Sequence, residues 1–521
     1  MTTATEESSN GLLCFTNCLL PQEDGSLVEK DLWIDSNCGV ILDAQQTFYL
    51  RRTRPNKIID LGGNILSPGF IDIQINGGFG FDFSVYEGDD QQYREGLKLV
   101  AERIVETGVT AVMPTIITQE KSHYAKLLRL LRPWSPPNAA HLLGWHVEGP
   151  FLQMNKRGAH SPSLIIPASE GFKSFEAVFQ PENLVATEDW LSGSDAVGAR
   201  IITAAPEVEG VMESIEEIVN RGICFSIGHR SFVSRTCSTD IATAAIQNGA
   251  RSITHLFNAM PQLHHRDPSI IGLLGSSPFV VAKPSNMPFV VALVKAKSSV
   301  VLTLGTPHKS TSPGPYASEA FDDIRTPPET PVLTLTYPHS QVHGRHYLTH
   351  LDSSLNTPTS RQRMPVAPFE RPFYELIVDG IHSHPNSVRL AYSAHPEGCI
   401  LITDAMKILD PNLKDGIHEW RDGRRFYKEG DRLYLEGTTT LAGSVVTLDK
   451  CVRNFTRFTG CSLGEAIKCA TLNPAKCLGI ENMKGTLRPG AHADLVVLDR
   501  HGRVLSTWVM GKMVWKRVEL D

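Results

Sequence analysis

The sequence predicts an α/β fold: a (β/α)8 TIM-like barrel with a small β-sandwich built from both termini and a long low-complexity insert. Three observations indicate this architecture. Apolar strand-like runs alternate with helical patterns in the middle of the chain, β-rich segments occupy both ends, and the insert interrupts a single connection. A chain of 521 residues is long enough for this arrangement and can bury a large core.

The two ends of the chain resemble each other in pattern. Residues 1–66 hold short apolar runs broken by Gly, Asn, Asp and Pro, without helical periodicity. Residues 485–521 repeat this β-rich pattern in GTLRPGAHADLVVLD and VLSTWVMGKMVWKR. We therefore expect both ends to form one β-sandwich beside a (β/α)8 barrel of residues 67–484.

The barrel prediction rests on eight runs rich in Val, Ile and Leu. These runs are residues 69–75, 109–115, 141–147, 200–205, 223–228, 251–255, 374–379 and 399–403. Several are separated by helical stretches that end near a Gly, which suits a helix C-terminal cap. In such barrels the active site lies at the C-terminal ends of the strands.

The insert spans residues 276–371 and is rich in Pro, Ser and Thr. It is far longer than an ordinary βα connection of about 2–6 residues. Its composition predicts a disordered segment. Two alternatives stay open: a flap over the active site, and translation of sequence that is normally removed.

Charge and cysteine usage limit the class of partner and the compartment. The chain has 50 Lys and Arg against 56 Asp and Glu, so its net charge is -6. It lacks the excess positive charge with which proteins bind nucleic acid or an anionic membrane, which favours a small-molecule partner. The ten cysteines are scattered without a C-x-x-C pair, and no signal peptide or membrane span is recognisable. A cytoplasmic location fits these features.

Four polar residues stand where predicted barrel strands end. Glu148, His229, His255 and Asp404 follow the third, fifth, sixth and eighth runs, so they should meet at one mouth. Two His and one Glu form a set that catalytic zinc uses while leaving one position open. In the alternative interpretation, Glu148 pairs with an Arg and the imidazoles bond to the backbone.

Two roles are predicted for Asp404, and they are compatible with each other. It could cap a helix N-terminus after the strand, or act as a general base, since an unperturbed Asp with a pKa of roughly 3.9 is ionised at neutral pH. Asn258, Ala259 and Arg266 after the sixth strand and His382 after the seventh suggest phosphate recognition. Without context, an Arg such as Arg266 is a solvated surface charge.

Four further histidines are assigned to the surface or to the surroundings of the ligands. They are His141, His146, His264 and His265.

A set of short blocks resembles one known family. WHVEGPF, KRGAH, GHRSF, THLFNAM, HHRDP, VDGIH, LITDA and LAGS resemble, in this order, the signature blocks of the N-acetylglucosamine-6-phosphate deacetylases of the amidohydrolase superfamily. The resemblance covers residues 11–276 and 372–517. It implies a (β/α)8 barrel with a small β-sandwich, and hydrolysis of N-acetylglucosamine 6-phosphate to glucosamine 6-phosphate and acetate.

The resemblance also implies roles for individual residues. Glu148, His229 and His255 match the metal ligands, Asp404 matches the general base and acid, and His160 matches the residue that polarises the scissile carbonyl. An Arg at the position of Arg266 reaches across a dimer interface in the family, which implies a homodimer. The positions that match contacts to the sugar or its phosphate are Ala159, Asn258, Ala259, Arg266, Asp379, Gly380, Ile381, His382, Leu441, Ala442 and Gly443.

Two departures from related patterns are informative. Many amidohydrolases have H-x-H in the first strand, whereas this chain has Gln74 and Asn76, which are poor ligands; a single divalent metal ion per subunit is therefore expected. Zn²⁺ is favoured, although Co²⁺, Mn²⁺ and Fe²⁺ accept the same ligands. Arg230 replaces the small residue that commonly follows the His of GHRSF.

Two other functions are compatible with the residues. One is another mononuclear amidohydrolase, such as a cyclic-amide hydrolase or a deaminase. The other is a catalytically silent sugar-phosphate-binding protein that the insert has disrupted.

Overall fold

The structure is a computed structural model. It describes residues 10–185, 198–230, 238–276, 370–421, 423–438 and 441–518. These residues belong to one compact unit; a second unit, Lys283–Ala367, lies outside the described residues. The predicted insert, 276–371, therefore lies outside the described residues except at its two edges.

The strands are numbered along the chain. They are β1 Leu12–Thr16, β2 Leu19–Pro21, β3 Leu27–Glu29, β4 Leu32–Asp35, β5 Val40–Leu42, β6 Lys57–Asp60, β7 Ile65–Pro68, β8 Phe70–Ile75, β9 Gly77–Gly78, β10 Phe81–Asp82, β11 Val109–Ile117, β12 His141–Leu142, β13 Trp145–Glu148, β14 Ala199–Ala204, β15 Cys224–Ile227, β16 Ser252–Ile253, β17 Phe373–Ile377, β18 Cys399–Ile402, β19 Gly416–Glu419, β20 Arg425–Glu429, β21 Arg432–Leu435, β22 Leu495–Leu498, β23 Val504–Val509 and β24 Lys512–Lys516.

The α-helices lie mainly between the barrel strands and after the last one. They are α1 Ala44–Arg51, α2 Asp90–Ile104, α3 Lys121–Leu130, α4 Phe172–Phe179, α5 Ile215–Asn220, α6 Ser238–Gln247, α7 Pro385–Ala394, α8 Leu448–Thr459, α9 Leu463–Ala470 and α10 Leu472–Leu478. None of the described helices is long and apolar enough to cross a bilayer.

A parallel sheet forms the barrel that the sequence predicts. Its order is β8, β11, β12 with β13, β14, β15, β16, β17 and β18, and neighbours are hydrogen-bonded from β8 to β18. We call these the first to eighth barrel strands. The third is split in two because Gly144 has φ +102°, which interrupts the extended backbone.

The first and eighth barrel strands close the barrel. Thr403 Oγ1 donates to Asp72 Oδ2 at 2.6 Å, and the Asp404 N–H donates to the Gln74 carbonyl at 2.9 Å. These bonds bring residues 72–76 of the first strand beside the end of the eighth. The polar ends of both strands therefore reach the same side of the mouth.

The chain ends share a sheet, as predicted. β22 pairs antiparallel with β7, joining C-terminal residues 495–498 to N-terminal residues 65–68 in a six-stranded sheet. A four-stranded sheet, β5-β4-β1-β6, packs against it through buried side chains such as Phe15, Leu66 and Trp508. The Phe15 and Trp508 rings meet edge to face at 5.1 Å. The exact boundaries at 66 and 485 stay predictions.

A three-stranded antiparallel sheet, β19-β20-β21, follows the eighth barrel strand and was not predicted. Its apolar side chains, which include Trp420, Phe426 and Leu433, form a small core with Met406 and Ile117. Because Ile117 ends the second barrel strand and Met406 follows the end of the eighth by four residues, this core holds the small sheet at the barrel mouth.

Candidate active site

The four predicted site residues stand at strand ends. Glu148 is the last residue of β13, and His229, His255 and Asp404 each lie two residues beyond β15, β16 and β18. The last three have left-handed backbones, with φ of +49°, +31° and +47°. Such conformations cost a non-Gly residue about 1–3 kcal/mol and persist only where the surroundings impose them. The surrounding fold therefore imposes a backbone conformation that lowers stability at these three positions.

Three of these side chains converge on one point. His229 Nε2 and His255 Nε2 each lie 2.9 Å from Glu148 Oε1, and the two Nε2 atoms are 3.2 Å apart. Ligands about 2.0–2.1 Å from a tetrahedral metal are about 3.3 Å from one another. The three atoms thus stand near the spacing that a divalent cation imposes. Glu148 faces imidazoles here and not an Arg, contrary to the alternative interpretation.

Glu148 and His255 shift each other's pKa values. Burial opposes the charge of Glu148, but the adjacent His229 and His255 imidazoles hold the pKa of its carboxyl well below the usual range. Burial alone would lower the pKa of His255, yet the hydrogen bond and charge of Glu148 raise it to about 9. Without a cation, a proton thus holds the Glu148–His255 pair together.

One imidazole is oriented by the backbone. His229 Nδ1 lies 2.8 Å from the Lys156 carbonyl, which can only accept, so Nδ1 carries the proton and Nε2 keeps a free lone pair. This is the tautomer that a metal ligand needs. Among the described residues His255 Nδ1 is buried without a hydrogen-bond partner.

Asp404 stands beside this group. Its Oδ1 accepts a 2.7 Å hydrogen bond from Asn76 Nδ2. Loss of hydration and the Glu148 carboxylate raise the pKa of Asp404 to about 6, against the opposing effects of His255 and Asn76. Asp404 does not cap a helix: β18 ends at Ile402, and after Asp404 the next helix in the described part of the chain is α8.

His160 lies against the same cluster. Its Nδ1 accepts the Thr118 N–H at 3.2 Å, which leaves the proton of the neutral ring on Nε2. Nε2 is 3.8 Å from Glu148 Oε2, and the His160 and His229 ring centroids are 4.7 Å apart. Burial lowers the pKa of His160 to about 3, so the ring is neutral and can donate one hydrogen bond. Thr118 was not predicted.

The loop after the seventh strand is built around Asp379. Its Oδ1 accepts the backbone N–H groups of Ile381 and His382, both at 2.8 Å, and its Oδ2 lies 2.6 Å from His382 Nδ1. Gly380 between them has φ +80°. Asp379 therefore fixes the orientation of the His382 ring, with Nε2 left for a ligand.

The loop after the sixth strand is arranged differently. The Asn258 amide donates to the His255 and Leu256 carbonyls at 3.4 and 3.3 Å, and Ala259 has φ +49°. Arg266 is exposed, and its backbone N–H donates to His264 Nδ1 at 3.3 Å. Within one chain, the Arg266 guanidinium thus stays at the surface.

The Leu441–Gly443 turn is joined to the end of the eighth strand. The Ser444 N–H donates to the Asp404 carbonyl at 3.0 Å, and the Ala442 N–H to Leu433 at 3.2 Å. Gly443 has φ +67°, and a Cβ there would meet Met406 Sδ at 2.7 Å. Ala159 packs, partly buried, on the same small core. The small sheet thus carries this turn to the mouth.

Two residues predicted to be poor ligands act as hydrogen-bond donors. Gln74 Nε2 donates to Glu148 Oε1 at 3.3 Å, and Asn76 donates to Asp404 as described above. The signal was available in the sequence. Asp72, Gln74 and Asn76 alternate with isoleucines, which places three polar side chains on one face of a strand.

Of the four histidines assigned to the surface or to the surroundings of the ligands, two are buried and two are exposed. His146 is fully buried within the barrel, and His141 is 8% exposed, whereas His264 and His265 are exposed. Arg230, the departure from the family pattern, is also fully buried, and its Nε donates to Glu207 at 3.2 Å. The guanidinium is thus accommodated by a buried ion pair.

His141 belongs to a second group of side chains of the types that can bind a metal, with His492 and Asp494. The ammonium of Lys484 lies 2.8 Å from His141 Nδ1 and 2.6 Å from Asp494 Oδ2. A cationic side chain therefore already occupies this group, and we assign it no metal.

Comparisons with known proteins identify relatives of this chain. Residues 346–514 match the amidohydrolase family. The chain is 37% identical over 506 residues to N-acetylglucosamine-6-phosphate deacetylase of Bos taurus, covering 96% of this chain and 95% of that protein. It is 33% identical over 514 residues to the Caenorhabditis elegans protein of the same name, covering 98% and 97%.

A solved structure shares the fold. The crystal structure of N-acetylglucosamine-6-phosphate deacetylase from Pasteurella multocida has a TM-score of 0.65 at 22% identity, covering 96% of this chain and 99% of that one. Because relatives more than 30% identical are matched over nearly their whole length, the sequence evidence reaches beyond the fold. The chain belongs to the N-acetylglucosamine-6-phosphate deacetylase family of amidohydrolases.

Proposed function

We propose that this protein hydrolyses the acetamide of N-acetyl-D-glucosamine 6-phosphate to D-glucosamine 6-phosphate and acetate. The observation that carries the proposal is the convergence of Glu148 Oε1, His229 Nε2 and His255 Nε2 within 2.9–3.2 Å of one another. Family membership supplies the substrate class. The geometry supports a metal-binding role for these three residues, and the Asp404 carboxylate lies beside them.

Glu148, His229 and His255 would hold one divalent cation per subunit, with Zn²⁺ the favoured ion for a set of two imidazoles and a carboxylate. Such a cation supplies Lewis-acid chemistry to water and to the amide carbonyl. Gln74 and Asn76 present amide N–H groups to the two carboxylates. This orientation supports a single ion.

Asp404 is the proposed general base and acid. With a pKa of about 6 it is mostly ionised at neutral pH, yet basic enough to take a proton from the attacking water. It then protonates the amide nitrogen as the C–N bond breaks, so the sugar leaves as a neutral amine. Asn76 holds one carboxylate oxygen and leaves the other for this proton transfer.

His160 is proposed to stabilise the carbonyl oxygen. Its ring is neutral and its Nδ1 is held by Thr118, so the Nε2–H is the group available to a substrate acceptor. A donor already in place costs no reorganisation when negative charge develops on that oxygen.

The remaining predicted residues are proposed to bind the sugar phosphate. His382, oriented by Asp379, and Arg266 are the cationic or donor groups for the phosphate. Binding of this remote group would orient the acetamide against the metal centre. The other proposed contacts are Ala159, Asn258, Ala259, Gly380, Ile381, Leu441, Ala442 and Gly443.

We also propose a homodimer and a cytoplasmic location. Arg266 is exposed in one chain, so a second copy could receive its side chain at the substrate site. The nine cysteines in the described ranges are free thiols, and Cys469 and Cys477 are buried. Free thiols are typical of a reducing compartment.

The decisive experiment measures acetate release from N-acetylglucosamine 6-phosphate and from unphosphorylated N-acetylglucosamine, each with and without a chelator. We expect release that depends on both the phosphate and the metal. Release of ammonia, or ring opening of a cyclic amide in place of acetate release, would indicate another amidohydrolase activity. Metal and sugar-phosphate binding without acetate would indicate a silent binding protein.

A further inference from the structure

Beneath Glu148, four side chains that the proposed mechanism does not use form one hydrogen-bonded chain across the barrel interior. His146 Nε2 lies 2.6 Å from Thr203 Oγ1, which lies 2.7 Å from Thr254 Oγ1, which lies 2.6 Å from Ser226 Oγ. All four residues are 0% exposed. We call these four residues the hydroxyl belt.

The belt has a single direction of donation. His146 Nδ1 faces the Ile73 carbonyl at 3.2 Å, and a carbonyl only accepts, so Nδ1 carries the proton and Nε2 accepts from Thr203. Because the hydroxyl hydrogen of Thr203 is used in that bond, Thr203 Oγ1 must accept the hydrogen of the Thr254 hydroxyl. Thr254 in turn accepts from Ser226. Each hydroxyl thus depends on the one before it, and removing one leaves a buried neighbour unsatisfied.

The belt joins the strands that carry the three proposed metal ligands. His146 precedes Glu148 by two residues, which places both on the inner face of the third strand. Thr254 is adjacent to His255, and Ser226 lies on the strand that leads to His229. Thr203 comes from the fourth strand, and its carbonyl accepts the Gly149 N–H directly after Glu148 at 3.1 Å.

Sheet hydrogen bonds alone fix each strand only against its two neighbours. The Thr203–Thr254 bond passes over the fifth strand and ties the fourth directly to the sixth. A shift of the His255 strand end along the barrel axis would break this 2.7 Å bond. The belt therefore resists an axial movement that would separate His255 from Glu148.

We infer that the hydroxyl belt positions the metal ligands: His146, Thr203, Thr254 and Ser226 set the spacing of Glu148, His229 and His255 before a cation binds. The inference rests on the proposed function, because it assumes that these ligands hold the metal. Residues that orient metal ligands without touching the metal typically contribute roughly 10- to 100-fold to its affinity.

The test compares Thr203→Val, which keeps the shape and removes the hydroxyl, with Thr203→Ser, which keeps the hydroxyl. Zn²⁺ affinity of metal-stripped protein is measured by competition with a chromophoric chelator, and thermal unfolding is followed without metal. We expect Thr203→Val to bind Zn²⁺ roughly 10- to 100-fold more weakly than wild type, and Thr203→Ser to stay within about threefold.

The two measurements separate positioning from simple stabilisation. A merely structural role would lower the unfolding temperature of Thr203→Val while leaving its Zn²⁺ affinity equal to that of wild type, and that result would overturn the inference. Should Thr203→Val fail to fold, Ser226→Ala provides the same comparison, since it removes only the first donor of the belt. Its Zn²⁺ affinity should also fall, and unchanged affinity would again count against the belt.

Failure of the proposed function would look different. If the wild-type protein binds no Zn²⁺, both the proposed metal centre and the proposed role of the belt are wrong. If the wild-type protein binds Zn²⁺ and releases acetate, but Thr203→Val binds Zn²⁺ with the same affinity, the proposed function stands. Only the role of the belt is then wrong. If Thr203→Val binds Zn²⁺ more weakly and the wild-type protein releases no acetate, the role of the belt stands and the proposed deacetylase activity is wrong.

Discussion

Asn76 donates a hydrogen bond from Nδ2 to Asp404 Oδ1 at 2.7 Å, across the junction of the first and eighth barrel strands. The two residues are 328 positions apart in the sequence. The bond holds one oxygen of the proposed base, and it favours the ionised carboxylate because it stabilises the negative charge. Asn76 is therefore expected to influence both the geometry and the pKa of Asp404.

The substitution Asn76→Ala removes this donor. Because the hydrogen bond lowers the pKa of Asp404, its loss should shift the acidic limb of kcat/KM toward higher pH. The sign follows from the role: a base must be unprotonated, so activity falls as the pH drops below its pKa. We also expect kcat to fall roughly 10-fold or more with KM little changed. An Asn76→Ala profile that overlays that of wild type would contradict this.

Asp404→Asn tests the base directly. The amide is close in shape but accepts no proton at neutral pH, so kcat should fall by about 10²- to 10⁴-fold. Metal content and substrate affinity should stay near those of wild type, measured by metal analysis and equilibrium binding. A variant with near wild-type kcat would refute the assignment of Asp404.

The sequence predicted the parts of the site that depend on local pattern. Glu148, His229, His255 and Asp404 are each the polar residue that ends an apolar run, and the rule that barrel sites lie at strand C-termini brought them to one mouth. The geometry places three of them together, while their roles as ligands stay a prediction.

What the sequence did not predict depends on contacts between distant segments. The alternating pattern places Gln74 and Asn76 on one face of the first strand, but their partners are acquired only when that strand meets the third and eighth. The sequence left open whether His146 lies at the surface or near the ligands, because a single His on an apolar run has no periodicity of its own. The sheet β19–β21 was missed because its strands are only four or five residues long with mixed polarity.

Metal binding should release a proton. His255 has a pKa of about 9 in the metal-free protein, so at pH 7 it carries a proton that a cation must displace. Zn²⁺ affinity should therefore rise with pH up to about pH 9 and fall as the pH is lowered. Isothermal titration calorimetry in buffers of different ionisation enthalpy measures the proton count, which we expect to be about one per Zn²⁺ at pH 7. An enthalpy independent of the buffer would contradict the protonated state of His255.

The buried ion pair of Lys484 and Asp494 should matter for stability and not for catalysis. The two side chains are 2.6 Å apart and only 2% and 5% exposed. Burial raises the pKa of Asp494, but Lys484 and His141 outweigh it and hold the pKa below its usual value. A lowered carboxylate pKa contributes stability that is present above the unfolded-state pKa of roughly 3.9 and is lost as the pH falls through the folded-state pKa.

Asp494→Asn leaves the Lys484 ammonium buried without its counter-charge. We expect the free energy of unfolding to fall by about 3–5 kcal/mol, measured by denaturant titration of the metal-free protein at pH 7. A matched control is Glu102→Gln, which removes the exposed pair Lys98–Glu102, 52% and 44% exposed and 3.5 Å apart. That change should cost less than about 1 kcal/mol because solvent already screens the charges. Equal effects of the two substitutions would show that the Lys484–Asp494 pair contributes no more than a surface pair.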